Sequence, residues 1–221
     1  MNTIVDKKIA KEVAKQLLAI KAVSINTQKP FRYVSGMLAP LYTDNRLLIS
    51  HPQEWKMIID NYIDVIKHHL KERPDILSGT ATAAIPHAAV LAYRLGIPMV
   101  YVRTSKKEHG KENLIEGEMK TGSKVLIIED LITTTKSIAL NVNAIREAGG
   151  VVTSCVAITT STIGAFVWTV ENLQIKLRTL TTIQIIVEEA VQGKYITASE
   201  AEIVHQFLNN PKSWGHSMGF E

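Results

Sequence analysis

The sequence predicts a single α/β domain whose mostly parallel sheet is flanked by helices. Short apolar runs rich in β-branched residues alternate along the chain with longer stretches in which apolar residues recur at helical spacing. Two of the short runs lead directly into small and hydroxyl-bearing residues, which is typical of strands that end at a ligand-binding edge. A length of 221 residues and a mass of 24.5 kDa fit one such domain with a full core.

The composition argues against several classes of protein. Hydrophobic residues make up 46% of the chain and charged residues 21%, which disfavours disorder. No apolar run approaches the roughly 18 residues that a membrane helix needs, so we expect no membrane partner. The pI of about 9.1 comes from basic residues that are scattered except in residues 103–111, and we expect no nucleic-acid partner. Cys155 is the single cysteine, which disfavours a disulfide framework and favours a reducing, cytoplasmic location.

The first 50 residues predict a helix followed by a covering segment. The apolar positions of residues 7–23 share one helical face. Residues 30–44, which we call the hood segment, combine aromatic, small and turn residues with little helical period, so short strands and loops are expected. The hood segment is either a cover for a planar ligand or a plain structured loop. We assign residues 1–50 to the helix and hood and 51–221 to the α/β core with its C-terminal helices, all within one structural domain.

The first half of the core predicts two helices and two strands. Pro52 opens the first helix, whose apolar face points to the core. Residues 75–78 predict a strand that enters a loop of small residues, 79–84, where the backbone could approach an anion closely. A helix over 86–95 and a strand over 97–102 follow.

A basic loop comes after Arg103. Residues 104–116 are mostly polar and include four basic or potentially basic side chains: Lys106, Lys107, His109 and Lys111. Like charges this close together repel one another unless water or an anion lies between them. The sequence therefore predicts either an anion-binding loop that bends at Gly110 and Gly117 or a solvated surface loop.

The most informative stretch spans residues 125–137. Four apolar residues predict a buried strand over 125–128, and Glu129 and Asp130 follow where that strand ends. A hydroxyl-rich loop and another helix come next. The amino end of a helix attracts phosphate, and two carboxylates at a strand end can accept hydrogen bonds from ribose hydroxyls. The stretch is either a site for a phosphorylated sugar or an ordinary strand-to-helix connection.

The last third of the chain predicts one strand and two helices. Residues 151–158 read as a buried strand that the polar run 159–162 ends. A helix is expected over 181–191, and Ser199 with Glu202 predicts the capping box of a final helix.

Three motifs in these stretches belong together. The first is residues 125–137, with its strand, acidic pair and threonine-rich loop. The second consists of Tyr101-Val102-Arg103, Lys107-Glu108-His109-Gly110-Lys111 and Ile115-Glu116-Gly117, and the third of Ser35-Gly36, Ala39-Pro40-Leu41-Tyr42 and Asp44-Asn45-Arg46. Together they resemble the type I phosphoribosyltransferases, in particular the branch of that family that acts on orotate. The resemblance extends from about residue 21 to residue 158.

The resemblance implies an enzyme that transfers the phosphoribosyl group of phosphoribosyl pyrophosphate to orotate. Its cofactor would be Mg²⁺, which would arrive on pyrophosphate oxygens and ribose hydroxyls and would need no dedicated protein ligands. The resemblance also implies a homodimer in which the loop 104–116 reaches the neighbouring subunit's site.

Individual residues receive roles from the same resemblance. Arg103, Lys107 and His109 would contact the pyrophosphate as catalytic residues, while Glu129 and Asp130 would hold the ribose hydroxyls. The remaining predicted substrate-binding residues are Leu131, Ile132, Thr133, Thr134, Thr135, Lys136 and Ser137, of which the last five would cradle the 5-phosphate, together with Tyr42 and Thr80.

Some positions depart from the family's pattern. Thr135 and Lys136 stand where relatives usually have glycine, which is favoured where the backbone has a positive φ or approaches a phosphate closely. Threonine and serine fill residues 159–162, where many orotate-using members place an arginine against the orotate carboxylate. Two alternatives stay open: a regulator that binds phosphoribosyl pyrophosphate without turnover, and a transferase that acts on another base.

Overall fold

Strands and helices alternate along the chain, as the sequence predicts. The computed structural model describes residues 4, 6–33, 35–105, 114–133, 135–160 and 170–220. The strands are β1 (Val23–Ile25), β2 (Phe31–Arg32), β3 (Leu38–Ala39), β4 (Leu41–Thr43), β5 (Ile76–Thr80), β6 (Met99–Val102), β7 (Ile115–Glu116), β8 (Lys124–Ile132), β9 (Val151–Thr160) and β10 (Lys176–Thr182). The α-helices are α1 (Lys7–Ala19), α2 (Pro52–Asp64), α3 (Ile85–Leu95), α4 (Lys136–Glu147), α5 (Ile183–Gln192), α6 (Ala198–Asn209) and α7 (Trp214–Ser217). A 3₁₀ helix (Asn45–Ser50) precedes α2, and a π-helical turn (Val65–His69) continues it.

Six strands form the central sheet in the order β10, β9, β8, β5, β6, β7. Neighbouring strands pair in parallel except at one edge, where β7 is antiparallel to β6. The predicted mostly parallel sheet is confirmed. Because β8 and β5 are parallel neighbours, the loops that follow them open at the same edge of the sheet, where open α/β sheets bind ligands.

Helices cover both faces of this sheet, which confirms the predicted layers. Alternate residues of β8 divide between the two faces: Leu126 and Ile128 pack in the cluster formed with α1, α2, α3 and α5, and Ile127 packs in the cluster formed with α4. Cys155 of β9 lies fully buried on the α4 face. On the other face α3 comes so close to β5 that a Cβ added to Gly79 would meet that of Ala88 at 3.1 Å.

Two central strands are longer than the sequence predicts. β8 extends past residue 128, so that Glu129 and Asp130 lie inside the strand and the prediction that they follow it is wrong. β9 likewise includes the first two threonines of the predicted polar run. The two extensions pair with each other, for example at Leu131 and Thr159, and this pairing holds both in extended conformation. Tertiary pairing thus overrides the loop-like composition.

The strand β10 is absent from the sequence prediction, which starts a helix at residue 181. Thr181 and Thr182 instead pair with Thr159 and Thr160 of β9. The helix α5 begins only after them, and the Thr182 hydroxyl accepts a hydrogen bond from the Ile185 N–H at 3.4 Å. Threonine fits a strand because of its β-branch, and its hydroxyl fits a helix cap, so the boundary falls between these two roles.

Two other helix boundaries differ from the prediction. The capping box of α6 is formed by Thr197 and Glu200 and not by Ser199 with Glu202: the Glu200 N–H donates to Thr197 Oγ1 at 3.2 Å, and the Thr197 N–H donates to Glu200 Oε2 at 2.8 Å. The helix α1 ends at Ala19, before the predicted residue 23, since Lys21 has a φ of 57°. Within the described part of the chain, no helix combines the length and apolar character needed to span a bilayer.

The hood segment forms short strands and turns, as the sequence predicts. β2 pairs with β3, and β4 pairs with β1, both antiparallel. The Tyr33 hydroxyl donates to the Leu41 carbonyl at 2.9 Å and ties the two ladders together. The 3₁₀ helix that follows carries the chain towards the carboxyl edge of β8.

Candidate active site

Glu129 and Asp130 lie at the carboxyl edge of the sheet. They follow Ile128, which forms the last pairing of β8 with β5, opposite Gly79. Glu129 is only 3% exposed. Its Oε2 accepts the Ser137 hydroxyl at 3.2 Å, and its Oε1 accepts the Asp130 N–H at 3.1 Å. Asp130 is half-buried and therefore more exposed than Glu129. Within the predicted acidic pair, Glu129 is therefore buried and Asp130 is partly exposed.

Burial sets the charge of this pair. It raises the pKa of both carboxyl groups, because a charged carboxylate loses hydration in the interior. The pKa of Glu129 rises further because the Asp130 charge lies next to it, whereas a hydrogen bond from Glu129 and the charge of Arg46 lower that of Asp130. These shifts favour a protonated Glu129 that donates to an ionised Asp130. The accessible carboxylate is thus the hydrogen-bond acceptor offered to a ligand.

Two buried side chains hold the backbone of the pair. The Tyr62 hydroxyl, from α2, donates to the Glu129 carbonyl at 2.6 Å. The Asn45 amide, from the start of the 3₁₀ helix, donates to the Asp130 carbonyl at 2.9 Å. The sequence assigns Tyr62 to the apolar face of a helix and Asn45 to a family motif without a role. Neither pattern indicates that the hydrogen-bonding atoms meet the acidic pair, since both contacts join residues far apart in the chain.

The loop between β8 and α4 places hydroxyls and helix N–H groups beside the pair. Thr133 is exposed, Thr135 precedes the first turn of α4, and Lys136 and Ser137 begin that helix with exposed side chains. The free N–H groups at this helix end favour a phosphate. Thr134 lies outside the described residues. The predicted phosphate contacts of this loop stay predictions, although the arrangement agrees with them.

Thr135 has a φ of −87° and a ψ of 8°. The concern that a residue in this place needs the positive φ of glycine is therefore unfounded. A negative φ of this size is open to L-residues as well as to glycine, and the Thr135 carbonyl accepts the Ala139 N–H at 2.9 Å as the first bond of α4. The departure from the family's glycine is compatible with an ordinary helix start.

Two of the predicted substrate-binding side chains point into the interior. Ile132 is 1% exposed and packs on the α4 face. Thr80 is 5% exposed, and its Oγ1 accepts the Asn141 amide of α4 at 2.9 Å. Substrate contacts by these residues stay predictions, and for Ile132 only the backbone is available. Leu131, which is half-buried, likewise offers its backbone at the sheet edge.

The small-residue loop after β5 closes tightly against its neighbours. The Ala81 N–H donates to the Val102 carbonyl at 3.2 Å, and the Ala84 N–H donates to the Thr80 carbonyl at 3.1 Å. The peptide bond between Ala81 and Thr82 is cis. Since α3 starts directly after this loop, a helix amino end again faces the carboxyl edge of the sheet.

The basic loop is anchored at both of its ends. The Arg103 N–H donates to the Leu114 carbonyl at 2.9 Å, and Arg103 Nη1 lies 3.6 Å from Glu116 Oε1. Gly117 has a φ of 100°, and a Cβ there would lie 3.1 Å from the Met99 carbonyl oxygen, so glycine is required. The predicted catalytic residues Lys107 and His109 lie outside the described residues. Arg103 thus marks the point where the loop leaves the sheet.

Tyr42 lies in an aromatic group of the hood segment. Its side chain is 40% exposed, and its ring centre is 5.8 Å from that of Phe31 and 6.4 Å from that of Tyr33. Nearby, Arg46 donates to both carboxylate oxygens of Asp44, at 2.6 and 2.8 Å. The hood segment therefore presents aromatic surface on the side where Arg46 influences Asp130. A base contact by Tyr42 stays a prediction.

The end of β9 carries threonine hydroxyls at positions where many orotate-using members of the family have an arginine. Thr159 is fully buried, and its hydroxyl has no hydrogen-bond partner among the residues that the structure describes. The Thr160 hydroxyl donates to the Ile132 carbonyl at 3.4 Å. Residues 161–169 lie outside the described part of the chain, so the predicted polar run is followed only to residue 160.

Trp55, His87 and Tyr62 form a largely buried network behind the acidic pair. The Trp55 indole N–H donates to His87 Nδ1 at 2.9 Å, and the His87 ring stacks on Tyr62 with ring centres 6.5 Å apart. Burial lowers the pKa of His87 to about 4, because the charged ring would lose its hydration. The neutral ring accepts from Trp55, and protonation would remove that acceptor.

This burial predicts a pH-dependent stability. In the unfolded chain His87 titrates near its ordinary 6.5, so between about pH 6.5 and 4 the unfolded state binds more protons. Stability therefore falls as the pH drops through this window. We expect His87 to account for a loss of about 2 kcal/mol in unfolding free energy between pH 7 and pH 5. Urea titrations at both pH values should show this loss in the native chain and not in His87→Phe. An equal loss in both would contradict the assignment.

Comparisons with known proteins agree with this geometry. The Phosphoribosyl transferase domain family matches residues 48–167. An orotate phosphoribosyltransferase of Coxiella burnetii is 44% identical over 206 residues, which cover 93% of this chain and 98% of that protein. Among solved structures, an orotate phosphoribosyltransferase from Aeropyrum pernix has a TM-score of 0.71 at 29% identity and covers 82% of this chain and 99% of that one. A UMP synthase from Leishmania donovani has a TM-score of 0.77 at 26% identity; the match covers 90% of this chain but 42% of that longer one.

Proposed function

Because the chain belongs to the phosphoribosyltransferase family and, within it, to the orotate phosphoribosyltransferases, we propose that its acidic pair and the loop after it form the phosphoribosyl site. The activity is the transfer of the 5-phosphoribosyl group from phosphoribosyl pyrophosphate to orotate, which gives orotidine 5-monophosphate and pyrophosphate in pyrimidine synthesis. The observation that carries the site assignment is the position of Glu129 and Asp130 beside the amino end of α4.

The two ends of the ribose phosphate match two features of this edge. The ribose hydroxyls donate to the accessible Asp130 carboxylate, while Glu129 stabilises that carboxylate from the buried side. The 5-phosphate binds over residues 133–137, where helix N–H groups and hydroxyls are available. The substrate is therefore held through its ribose hydroxyls and through its 5-phosphate.

The reaction needs charge stabilisation rather than a side-chain nucleophile. When pyrophosphate leaves the anomeric carbon, negative charge builds on the leaving group and positive charge on the sugar. Cations stabilise the first, and we assign that role to Arg103, Lys107 and His109 of the basic loop. The Asp130 carboxylate lies on the sugar side, where it stabilises the second. Closure of the loop would also exclude water, which otherwise hydrolyses the activated sugar.

The donor set of the site agrees with a metal that arrives on the substrate. Among the residues that the structure describes, no three acidic, histidine or cysteine side chains converge to bind a metal. One accessible carboxylate with a buried partner is too few ligands for a protein-held Mg²⁺, which keeps several waters and prefers phosphate oxygens. We propose that Mg²⁺ binds with phosphoribosyl pyrophosphate, where it neutralises pyrophosphate charge, and that Asp130 meets it only through the ribose hydroxyls or water.

We further propose a cytoplasmic homodimer in which the loop 104–116 completes the neighbouring subunit's site. The location is supported by Cys155, which is single and buried and therefore makes no disulfide. The dimer is supported by the anchoring of the loop at Arg103 and Leu114, on the sheet edge next to β7. The hood segment and the core are proposed to act as one domain, since Asn45 bonds directly to Asp130.

An absorbance assay of orotate consumption with Mg²⁺ tests the function, and the same assay run on a panel of bases tests its specificity. We expect orotate to be consumed with a kcat/KM at least about 100-fold above that for uracil or purines, because a site that pairs a buried polar group with a substrate group rejects bases that lack it. Faster turnover of another base would reassign the substrate. Saturable binding of phosphoribosyl pyrophosphate with no turnover of any base would instead identify a regulator.

A further inference from the structure

We propose that Tyr62 and Asn45 are positioning residues that clamp the backbone of the acidic pair and thereby aim its carboxylates at the ribose. The proposal rests on the assignment of Glu129 and Asp130 as ribose ligands. Neither clamp residue reaches the substrate in this arrangement, because both are buried, Tyr62 at 0% and Asn45 at 1% exposed. Their contact with the reaction runs through the main chain.

Tyr62 acts between two strands. Its hydroxyl donates to the Glu129 carbonyl of β8 at 2.6 Å and accepts a hydrogen bond from the Ile158 N–H of β9. A single phenol oxygen therefore joins the strand that carries the acidic pair to the strand that ends at Thr159. Because the ring is enclosed and stacked on His87, the hydroxyl has little freedom to move. The direction of the Glu129 peptide is fixed by this bond.

Asn45 acts from the opposite part of the chain. It follows directly after the hood segment, and its amide donates to the Asp130 carbonyl at 2.9 Å. β8 has no pairing with β5 beyond Ile128, so this part of the strand lacks a neighbour on that side and a side chain takes its place.

Positioning has a kinetic signature that general destabilisation lacks. The acidic pair contacts ribose, which is present in phosphoribosyl pyrophosphate and orotidine 5-monophosphate but absent from orotate. A misdirected pair therefore weakens the two ribose ligands and leaves orotate alone. A partly unfolded enzyme would instead lose turnover with every KM unchanged.

The test compares Tyr62→Phe and Asn45→Ala with a matched control, Ser217→Ala. Ser217 donates its hydroxyl to the Trp214 carbonyl at 2.9 Å in the C-terminal part of the chain, so its variant loses the same kind of bond away from the site. For each variant we would measure Tm, kcat, both KM values, and the dissociation constant of orotidine 5-monophosphate by calorimetry. We expect Tyr62→Phe and Asn45→Ala each to raise KM for phosphoribosyl pyrophosphate and the dissociation constant about tenfold, with KM for orotate within twofold.

Other results would overturn the proposal. A lower Tm with unchanged ribose-ligand affinity in both variants assigns Tyr62 and Asn45 a structural role only. An equal rise in both KM values and in the dissociation constant of orotidine 5-monophosphate would mean that the whole pocket is disrupted. If Tyr62→Phe does not fold, Asn45→Ala carries the same test alone. Wild-type orotate turnover tests the proposed function separately, so failure of the clamp and failure of the function give different results.

Discussion

Asp130→Asn is expected to lower kcat/KM for phosphoribosyl pyrophosphate by about 10²–10³-fold, and Glu129→Gln by only about tenfold. Asp130 is the more exposed member of the pair, and in the proposed site the variant would lose its charge-assisted hydrogen bonds to the ribose hydroxyls. Burial and the neighbouring Asp130 charge raise the pKa of Glu129, which favours its neutral form, and glutamine keeps the shape and the donor of that form. The asymmetry follows from the deeper burial of Glu129 and from the Arg46 charge and the Glu129 hydrogen bond, which both lower the pKa of Asp130.

Steady-state kinetics with both variants and Glu118→Gln as a surface control would measure this difference. Glu118 is exposed and lies outside the site. The effect should appear in the constants for phosphoribosyl pyrophosphate and not in the KM for orotate. A loss in Glu129→Gln as large as that in Asp130→Asn would reverse the assignment of charge within the pair.

Lys107→Ala is expected to lower kcat by about 10²–10³-fold while the unfolding free energy stays unchanged. The reason is chemical: pyrophosphate gains negative charge as it leaves, and a lysine that meets it only then stabilises the transition state more than the ground state. Lys120→Ala is the control, because Lys120 is an exposed lysine outside the loop. Full activity in Lys107→Ala would remove the loop from the mechanism.

The same variant tests whether the loop is shared between subunits. Lys107→Ala has an intact pocket and a defective loop, and Asp130→Asn has the reverse. After the two are unfolded together, refolded and allowed to pair at random, about half of the dimers contain one of each. A loop that acts on the neighbouring subunit would restore about a quarter of wild-type turnover. No restoration, in dimers shown by mass spectrometry to be mixed, would place each loop over its own subunit's site.

Local sequence predicts the parts of the site whose chemistry is local. Glu129, Asp130 and the start of α4 are consecutive, and helix ends and carboxylates have the same preferences in any protein. The strand-helix order is predictable for the same reason, because periodicity reflects which face is buried. The end of β8 cannot be predicted in this way, because the strand continues past residue 128 only where β9 lies beside it.

Contacts between distant residues explain the rest. Tyr62 has the periodicity of a core residue, and its hydroxyl finds the Glu129 carbonyl only because α2 packs across the end of β8. Thr135 shows the converse: its β-branch suggests strain in a glycine position, yet the observed φ of −87° removes that concern. Sequence patterns indicate which atoms are available, and the fold decides which of them meet.

The burial of Cys155 has a practical consequence for the study of this chain. The thiol lies in β9 behind α4, is fully enclosed, and has a raised pKa because burial disfavours the thiolate. A thiol-specific reagent can reach it only in molecules in which α4 has moved away from the sheet or the chain has unfolded. Since the chain has one cysteine, the rate of labelling reports a single event. The rate of labelling therefore measures how often this face of the sheet becomes exposed in the native protein, without an introduced cysteine or a catalytic assay.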